Sequence, residues 1–247
     1  MVRLRATPAS DAPVWHDVEC ASYGADLDVW RSLAERAGGP VLDIGCGTGR
    51  VALVLAQAGH DVSGLDADPD LVHVLAGRAR GLAVRAAVAD ARSFDLGSRF
   101  ALAIAPMQVA QLLGGPPGRR AMLARAFDHL RPGALLAVAL ADPFESVSPQ
   151  AAKPPLPDVL ERDGWVFSST PVAVYPDGDA IAIERVRSAV SPSGDLTETV
   201  ATIRLDSVTP ETLYEEGRER GFVPRPALSV PPTDDYVGST VVVLEHP

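Results

Sequence analysis

The stretch that decides the fold is VLDIGCGTGR, residues 41–50, in which a short apolar strand runs directly into a glycine-rich turn. Glycines at this point let the backbone turn sharply and let a ligand approach without a Cβ in the way. The turn lacks the Gly-Lys-Ser/Thr ending of a phosphate loop, and Arg50 stands where a G-x-G-x-x-G dinucleotide site has its last glycine. Asp43 would repel a pyrophosphate, so this turn favours a ligand that presents a cation.

Strands and helices alternate along the chain on both sides of this turn. A helical pattern precedes it from residue 26 to 37, and predicted strands follow over residues 61–65, 82–89, 100–105 and 134–141. This rhythm is typical of right-handed βαβ units around a parallel sheet. We predict an α/β fold with a Rossmann-like, doubly wound, mostly parallel sheet of seven strands.

The pattern changes after the fifth strand. A Pro-rich connector over residues 149–157 leads into three runs rich in Val, Ile and Thr, and the turn sequences PDGD and PSGD join these runs. We predict an antiparallel β insertion. The expected divisions are a helical lid segment at 1–39, a cofactor-binding core at 40–148, the insertion at 158–206, and a C-terminal helix and strands at 207–247 that complete the sheet.

Composition excludes several classes of protein. The chain has 22 Lys and Arg against 32 Asp and Glu, a net charge of −10, which argues against broad binding to nucleic acid phosphates. No apolar run reaches the roughly 18 residues that a membrane span requires, and the first residues lack the apolar core of a secretory signal. Two cysteines without partners at zinc-ligand spacing indicate neither a disulfide framework nor a metal site. We expect a cytoplasmic protein.

The pattern D-x-G-x-G-x-G, filled by Asp43, Gly45, Gly47 and Gly49, resembles motif I of the class I S-adenosylmethionine-dependent methyltransferases. The resemblance implies S-adenosyl-L-methionine as cofactor and S-adenosyl-L-homocysteine as product. It also implies that Gly45, Cys46 and Gly47 wrap the methionine part of the cofactor. Asp43 would hold the cofactor's ammonium group, or would merely cap the amides of the loop.

Two further acids lie where the same family places them. Asp66, with Ala67 beside it, ends the second strand 23 residues after Asp43, and Asp90 follows the third strand 24 residues later. The resemblance implies that Asp66 accepts hydrogen bonds from both ribose hydroxyls. It implies that Asp90 and the Ala91 backbone bind adenine. Acids at strand ends are common, so either one is also consistent with a structural role.

Two more residues enter the predicted cofactor site by position. The segment YGADLDVW resembles the tyrosine-containing segment that folds over the cofactor in many small-molecule members, which implies a contact from Tyr23. Met107, after the fourth strand, would line the sulfur side of the cofactor. The alternative for both is packing: Tyr23 against the N-terminal helix and Met107 in the core.

No catalytic residue can be assigned from the sequence. His16 is the histidine closest to a substrate in our interpretation, and three others are better explained as structural or surface residues: His60, His73 and His129. Gln108 and Gln111 could reach a polar substrate or lie exposed on a helix. Asp142 and Glu145 could orient an amine, or serve as a cap or a solvated loop. The segment Ala105-Pro106-Met107-Gln108 departs from the Asn/Asp-Pro-Pro-aromatic signature of enzymes that methylate bases or glutamine. A macromolecular substrate is therefore disfavoured.

The insertion resembles the added β-layer of sugar-amine and other natural-product N-methyltransferases. This resemblance implies that the insertion covers the substrate or makes a dimer contact, and the alternative is an elaboration with no substrate role. The sequence thus predicts transfer of a methyl group to a small-molecule acceptor by in-line displacement, with an amine favoured over a hydroxyl. We expect no nucleic acid, metal or membrane partner, and a homodimer contact. Two alternatives stay open: an NAD-dependent oxidoreductase on a Rossmann fold, and a methyltransferase-fold protein that binds without turnover.

Overall fold

The computed structural model describes residues 11–141, 156–233 and 236–247. The strands are β1 (Val41–Ile44), β2 (Val62–Asp66), β3 (Val84–Val88), β4 (Phe100–Ala105), β5 (Leu130–Ala141), β6 (Asp158–Arg162), β7 (Trp165–Asp177), β8 (Ala180–Val190), β9 (Leu196–Asp206), β10 (Val223–Val230) and β11 (Ser239–Glu245). The helices are α1 (Ala12–Cys20), α2 (Leu27–Ala37), α3 (Arg50–Gln57), α4 (Pro69–Arg78), α5 (Pro116–Asp128) and α6 (Pro210–Arg220), with a 3-10 turn at Val109–Leu112. Among the described residues, no helix is long and apolar enough to cross a membrane.

The central sheet has seven strands in the order β10-β11-β5-β4-β1-β2-β3. Strands β3, β2, β1, β4 and β5 run parallel, and β11 lies antiparallel between β5 and β10. The predicted doubly wound, mostly parallel sheet is confirmed. A dinucleotide-binding sheet has the order 3-2-1-4-5-6. The antiparallel β11 beside β5 departs from that order.

The core forms on both faces of this sheet. All four residues of β1 are buried, and they divide between two apolar layers: Leu42 and Ile44 face α5 and α6, whereas Val41 faces α2 and α3. Trp30 of α2 is completely buried in the second layer. Burial of every residue of β1, with Asp43 as its one polar member, is typical of a parallel sheet that is covered on both faces.

The insertion forms a second, antiparallel sheet in the order β6-β7-β8-β9. Three of its strands match the predicted runs, and β6 was not predicted as a strand. Helix α1 packs on one face of this sheet, where the Trp15 and Phe167 rings meet edge to face with centroids 5.7 Å apart. The proposed division of the chain into four segments stays a prediction.

Candidate functional site

The ends of β1 and β2 are joined by backbone and side-chain hydrogen bonds. The amides of Gly45 and Cys46 donate to the Leu65 carbonyl at 2.8 and 2.9 Å, and the Gly47 amide donates to Oδ2 of Asp66 at 2.9 Å. The glycine loop and Asp66 therefore form one unit at the carboxyl edge of the sheet, where open α/β sheets bind ligands.

Each of the three loop glycines adopts a positive φ, and each lies against a side chain of the protein itself. A Cβ on Gly45 would lie 2.5 Å from Val109, one on Gly47 would overlap His16, and one on Gly49 would lie 2.5 Å from Leu75. The sequence predicts that a ligand occupies the space left by the missing Cβ atoms. The structure shows that it also admits the neighbouring elements, which close tightly around the loop.

Asp43 is a buried carboxyl group without a hydrogen-bond partner of normal geometry for either oxygen among the described residues. Its side chain is 1% exposed. Burial raises its pKa to about 7, with Arg50 and the Ala52 amide offsetting part of that effect and Asp66 adding to it. An ionised carboxylate in this position is costly unless a cation or a donor reaches it. The site therefore fits a ligand ammonium group.

Asp66 is half-buried at the end of β2 and is held by two backbone amides. Its Oδ2 accepts from Gly47 and its Oδ1 accepts from Asp68 at 3.0 Å. Each oxygen of a carboxylate has a second acceptor direction. The carboxylate is thus fixed in orientation and can still accept from a diol, which is consistent with the predicted ribose role. Ala67 beside it is exposed.

Asp90 lies two residues beyond β3 and is engaged by its own neighbour. The guanidinium of Arg92 donates to both Asp90 oxygens at 2.6 to 3.1 Å, and the Arg92 amide donates at 2.8 Å. These bonds lower the pKa of Asp90. An adenine amino group would have to share or replace this partner, so the adenine role stays a prediction. Ala91 is buried, in contact with the core.

Met107 follows β4 at the same edge in a left-handed backbone conformation. Its φ is +56°, although it is not a glycine. Such a residue carries local strain, and strained positions cluster at binding sites. Met107 is half-buried, and its contact with the cofactor stays a prediction.

Tyr23 is buried against Arg50 and Tyr236. Its ring lies under the Arg50 guanidinium at 5.1 Å and packs on Tyr236 with centroids 5.0 Å apart. Its carbonyl accepts from Arg50 at 2.9 Å. The link from Tyr23 to the glycine loop therefore runs through Arg50, the first residue of α3. Packing, the alternative for this residue, accounts for these contacts, and its cofactor contact stays a prediction.

Cys46 is a structural residue of the loop and not a reactive thiol. Its Sγ lies so close to Gly64 that a Cβ there would be 2.9 Å away. Burial raises the pKa of the Cys46 thiol far above its usual range. The residue therefore contributes a small apolar side chain and its backbone.

Helix α1, which sequence periodicity did not reveal, brings two further residues to the loop. His16 lies against Gly47, and Asp17 is a buried carboxylate bound by Thr48 at 2.7 Å, by Arg162 at 2.5 Å and by Arg78. Burial would raise the pKa of Asp17, but these bonds lower it to about 2. The start of α1 could have been found from Asp11 and Pro13, because an Asp cap followed by Pro in the first turn is a local signal for a helix start.

The other polar candidates are mostly structural. His129 is buried, with Nδ1 on the Arg125 carbonyl and Nε2 accepting from the Leu96 amide. Gln111 is also buried and bonds the Ala141 backbone, and Gln108 is half-buried at the start of the 3-10 turn. His60 is half-buried and His73 is exposed. Asp142, Glu145 and most of the Pro-rich connector lie outside the described residues.

Comparison with known proteins agrees with this site. Residues 41–133 match the profile of a protein family described as a methyltransferase domain. The match begins at the first residue of β1 and includes the glycine loop, Asp66 and Asp90. A comparison with curated protein sequences gives no match.

Several solved structures share the fold over nearly the whole chain. DesVI from Streptomyces venezuelae is 19% identical, covers 96% of this chain and 98% of its own, and has a TM-score of 0.73. CalS10 from Micromonospora echinaspora, an amino pentose methyltransferase with S-adenosylmethionine bound, is 20% identical, with coverages of 93% and 96% and a TM-score of 0.69. KedS8 from Streptoalloteichus sp ATCC 53650, a sugar N-methyltransferase, is 18% identical, with coverages of 93% and 91% and a TM-score of 0.73. At these identities the likeness is one of fold.

The fold and the loop are those expected of a class I methyltransferase. Residues 41–133 match a methyltransferase domain, as the motif at Asp43 to Gly49 predicted, and class I methyltransferases use S-adenosylmethionine as cofactor. The buried, unpartnered Asp43 of this chain fits the ammonium group of that cofactor.

Proposed function

We propose that this enzyme methylates an amine nitrogen of a small molecule, with an amino sugar as the preferred class of acceptor. The observation that carries the cofactor half of this proposal is the orphan carboxyl of Asp43 at the glycine loop. The amine half is supported by the similarity to CalS10, an amino pentose methyltransferase, and to KedS8, a sugar N-methyltransferase.

The polar groups of the site also favour an amine. Among the described candidates, His129 and Gln111 are committed to backbone partners, and Asp90 is paired with Arg92. The ring of His16 lies against Gly47, so it is directed at the cofactor loop. A hydroxyl acceptor usually requires a base within hydrogen-bond reach, whereas an amine with a free lone pair does not. An acceptor that arrives as a neutral amine therefore suits this site better than an alcohol.

We assign the cofactor contacts as follows. Asp43 holds the ammonium group, the backbone at Gly45, Cys46 and Gly47 contacts the methionine part, and Asp66 with Ala67 binds the ribose. Asp90 and Ala91 contact adenine, while Met107 and Tyr23 line the edge of the site. These assignments rest on the order β4-β1-β2-β3, which aligns the corresponding loops along one edge.

S-adenosylmethionine supplies an electrophilic methyl group on a sulfonium. The residues of this chain align the acceptor nitrogen with the methyl-sulfur axis and exclude water. Such positioning can contribute on the order of 7–11 kcal/mol to lowering the barrier. The covering of the loop by α1 and the 3-10 turn gives the dry walls that strengthen charge interactions during transfer.

The insertion supports a second part of the proposal, a homodimer. Apolar side chains on its strands are exposed, at 56% for Val159, 59% for Leu196 and 68% for Val200. Apolar surface of this kind often marks an interaction site. Light scattering should give the mass of a dimer, and Val200→Arg should reduce it to that of a monomer. A monomeric wild type would exclude the dimer. The cytoplasmic location stays a prediction.

The decisive assay compares acceptors that differ at one atom. Amino sugars and their hydroxyl counterparts are incubated with enzyme and S-adenosylmethionine, and mass spectrometry locates the methyl group on the product. We expect N-methylation and no O-methylation, and loss of turnover in Asp43→Asn. Asp28→Asn, at a carboxylate 93% exposed, is the matched control. Methylation of hydroxyls at equal or higher rate would contradict the amine assignment.

A further inference from the structure

The His16 ring lies directly on the cofactor loop. A Cβ at Gly47 would overlap the Nε2 and Cε1 atoms of His16, and Gly47 in turn donates to Asp66. His16 is therefore at the point where the ends of β1 and β2 meet, beside the two carboxylates assigned to the cofactor. It comes from α1, outside the segment that the family profile matches.

The hydrogen bonds of Thr48 determine which ring nitrogen carries the proton. Oγ1 of Thr48 lies 2.7 Å from Oδ1 of Asp17 and 3.2 Å from Nδ1 of His16. The hydroxyl has a single proton, and the carboxylate can only accept, so Thr48 donates to Asp17. Nδ1 of His16 must then donate to Thr48, and in the neutral ring Nε2 keeps an unprotonated lone pair.

Burial, more than the charges around the ring, keeps His16 neutral at pH 7. Burial lowers the pKa of His16. Asp17 on its own helix and Asp66 on β2 raise the pKa, and Arg50 on α3 and Arg78 on α4 lower it. The net effect is a pKa below the usual value, so Nε2 is a hydrogen-bond acceptor under physiological conditions.

The position of the ring is fixed by its neighbour. Asp17 joins α1 to the loop through Thr48, to α4 through Arg78 and to the insertion through Arg162. His16 follows this anchor and is held against the loop. Its Nε2 has no hydrogen-bond partner among the described residues, and the side chain is half-buried.

We propose that Nε2 of His16 accepts a hydrogen bond from the bound cofactor. The groups of S-adenosylmethionine assigned to this edge, the ammonium and the ribose hydroxyls, are both donors, and the lone pair of a neutral imidazole is complementary to either. The inference rests on the proposed binding site and adds a contact from α1. Cofactor binding and the packing of α1 on the loop would then both depend on the side chain of His16.

Two substitutions of His16 distinguish a hydrogen bond to the cofactor from a role that only anchors α1 on the loop. The amide of Asn places a donor near the position of Nδ1 and nothing at Nε2, whereas the amide oxygen of Gln reaches the position of Nε2. The dissociation constant of S-adenosylhomocysteine is measured by calorimetry for wild type, His16→Asn, His16→Gln and the exposed control His73→Asn. Thermal unfolding without ligand reports the folding of each variant.

We expect His16→Gln to bind within about threefold of wild type and His16→Asn to bind roughly tenfold more weakly, as for one lost hydrogen bond. 5′-Methylthioadenosine, which lacks the ammonium, distinguishes the donors: an equal loss with this ligand assigns a ribose hydroxyl, and no loss assigns the ammonium. Equal affinity in the two variants, or weaker binding by His16→Gln alone, would overturn the proposal. If wild type fails to bind, the proposed cofactor site is wrong as well.

Discussion

The guanidinium of Arg50 and the carboxylate of Asp26 form a two-point ion pair inside the protein. Nη1 lies 2.6 Å from Oδ1 and Nη2 lies 2.8 Å from Oδ2, with the two side chains 8% and 2% exposed. Asp26 also accepts from the Trp30 indole at 2.7 Å. The pair connects the first residue of α3, directly after the glycine loop, to the start of α2, and so fixes the loop against the N-terminal segment.

We predict that Arg50→Ala destabilises the protein by about 3–5 kcal/mol, because the substitution leaves Asp26 buried without its counter-charge. Arg85→Ala is the matched control, since Arg85 makes a two-point pair with Asp61 on the surface. That exposed pair is expected to be worth no more than about 1 kcal/mol. Urea unfolding of both variants checks the difference, and equal losses would show that burial of the Arg50 pair adds nothing.

The ion pair of Arg50 could not be predicted from the sequence. In the sequence, Arg50 excludes a G-x-G-x-x-G dinucleotide motif, and this was sufficient to distinguish the loop from a dinucleotide site. Its partner Asp26 lies 24 positions away, and nothing local in the sequence links the two. The same holds for Asp17 and Arg162, which are 145 positions apart. Contacts of this kind form only once the fold has brought the elements together.

The core of the fold was predictable because its signals are local. Strands β1, β2 and β4 are apolar runs, and the loop glycines and the Asp68-Pro69 cap mark where turns and helices begin. The bounds of strand β10 were not predicted, because the strand contains Pro224 and Pro226. These prolines suit an edge strand with a bulge rather than a central strand. The carboxyl edge of the sheet and a helical lid were therefore predictable, whereas the bounds of α1 and its contacts with the loop were not.

Gly47→Ala should destabilise the protein more than Gly38→Ala. Both glycines have φ near +55 to +60°, so each substitution adds roughly 1–2 kcal/mol of backbone strain. A Cβ at Gly38 meets nothing within 4 Å, whereas one at Gly47 overlaps His16. We expect an additional loss of about 1–3 kcal/mol at Gly47 from this overlap. Urea unfolding measures both variants, and His16→Ala in the Gly47→Ala background should recover most of the excess. Equal losses would argue against the close contact.

Gln111→Ala should reduce stability and leave acceptor affinity unchanged. The Gln111 amide donates to the Ala141 carbonyl at 2.9 Å and accepts from its amide at 3.0 Å, so truncation leaves two buried backbone groups unpaired. The expected loss is about 2–4 kcal/mol. Gln57→Ala, at an exposed glutamine, is the control and should have little effect. A raised KM with unchanged unfolding free energy would instead indicate that Gln111 binds the acceptor.

Asp43 should make the unliganded protein less stable as the pH rises from about 4 to about 7. The folded state keeps the Asp43 proton up to about pH 7, whereas the unfolded chain releases it near 3.8. In this window the folded state binds more protons, so the unfolding free energy decreases with rising pH. The full loss corresponds to the change from 3.8 to about 7, on the order of 4 kcal/mol at most. The difference between wild type and Asp43→Asn in urea unfolding isolates this contribution, and parallel pH profiles would contradict it.

The same carboxyl should couple cofactor binding to proton release. A ligand ammonium beside Asp43 favours the ionised form, so binding of S-adenosylhomocysteine near pH 6 should expel the Asp43 proton. Calorimetry in buffers of different ionisation enthalpy counts the protons released. We expect release by wild type and by Asp28→Asn, and in Asp43→Asn a markedly smaller release together with weaker binding. Equal proton release in all three proteins would place the ammonium elsewhere, because a carboxyl that stays protonated cannot be the group that holds it.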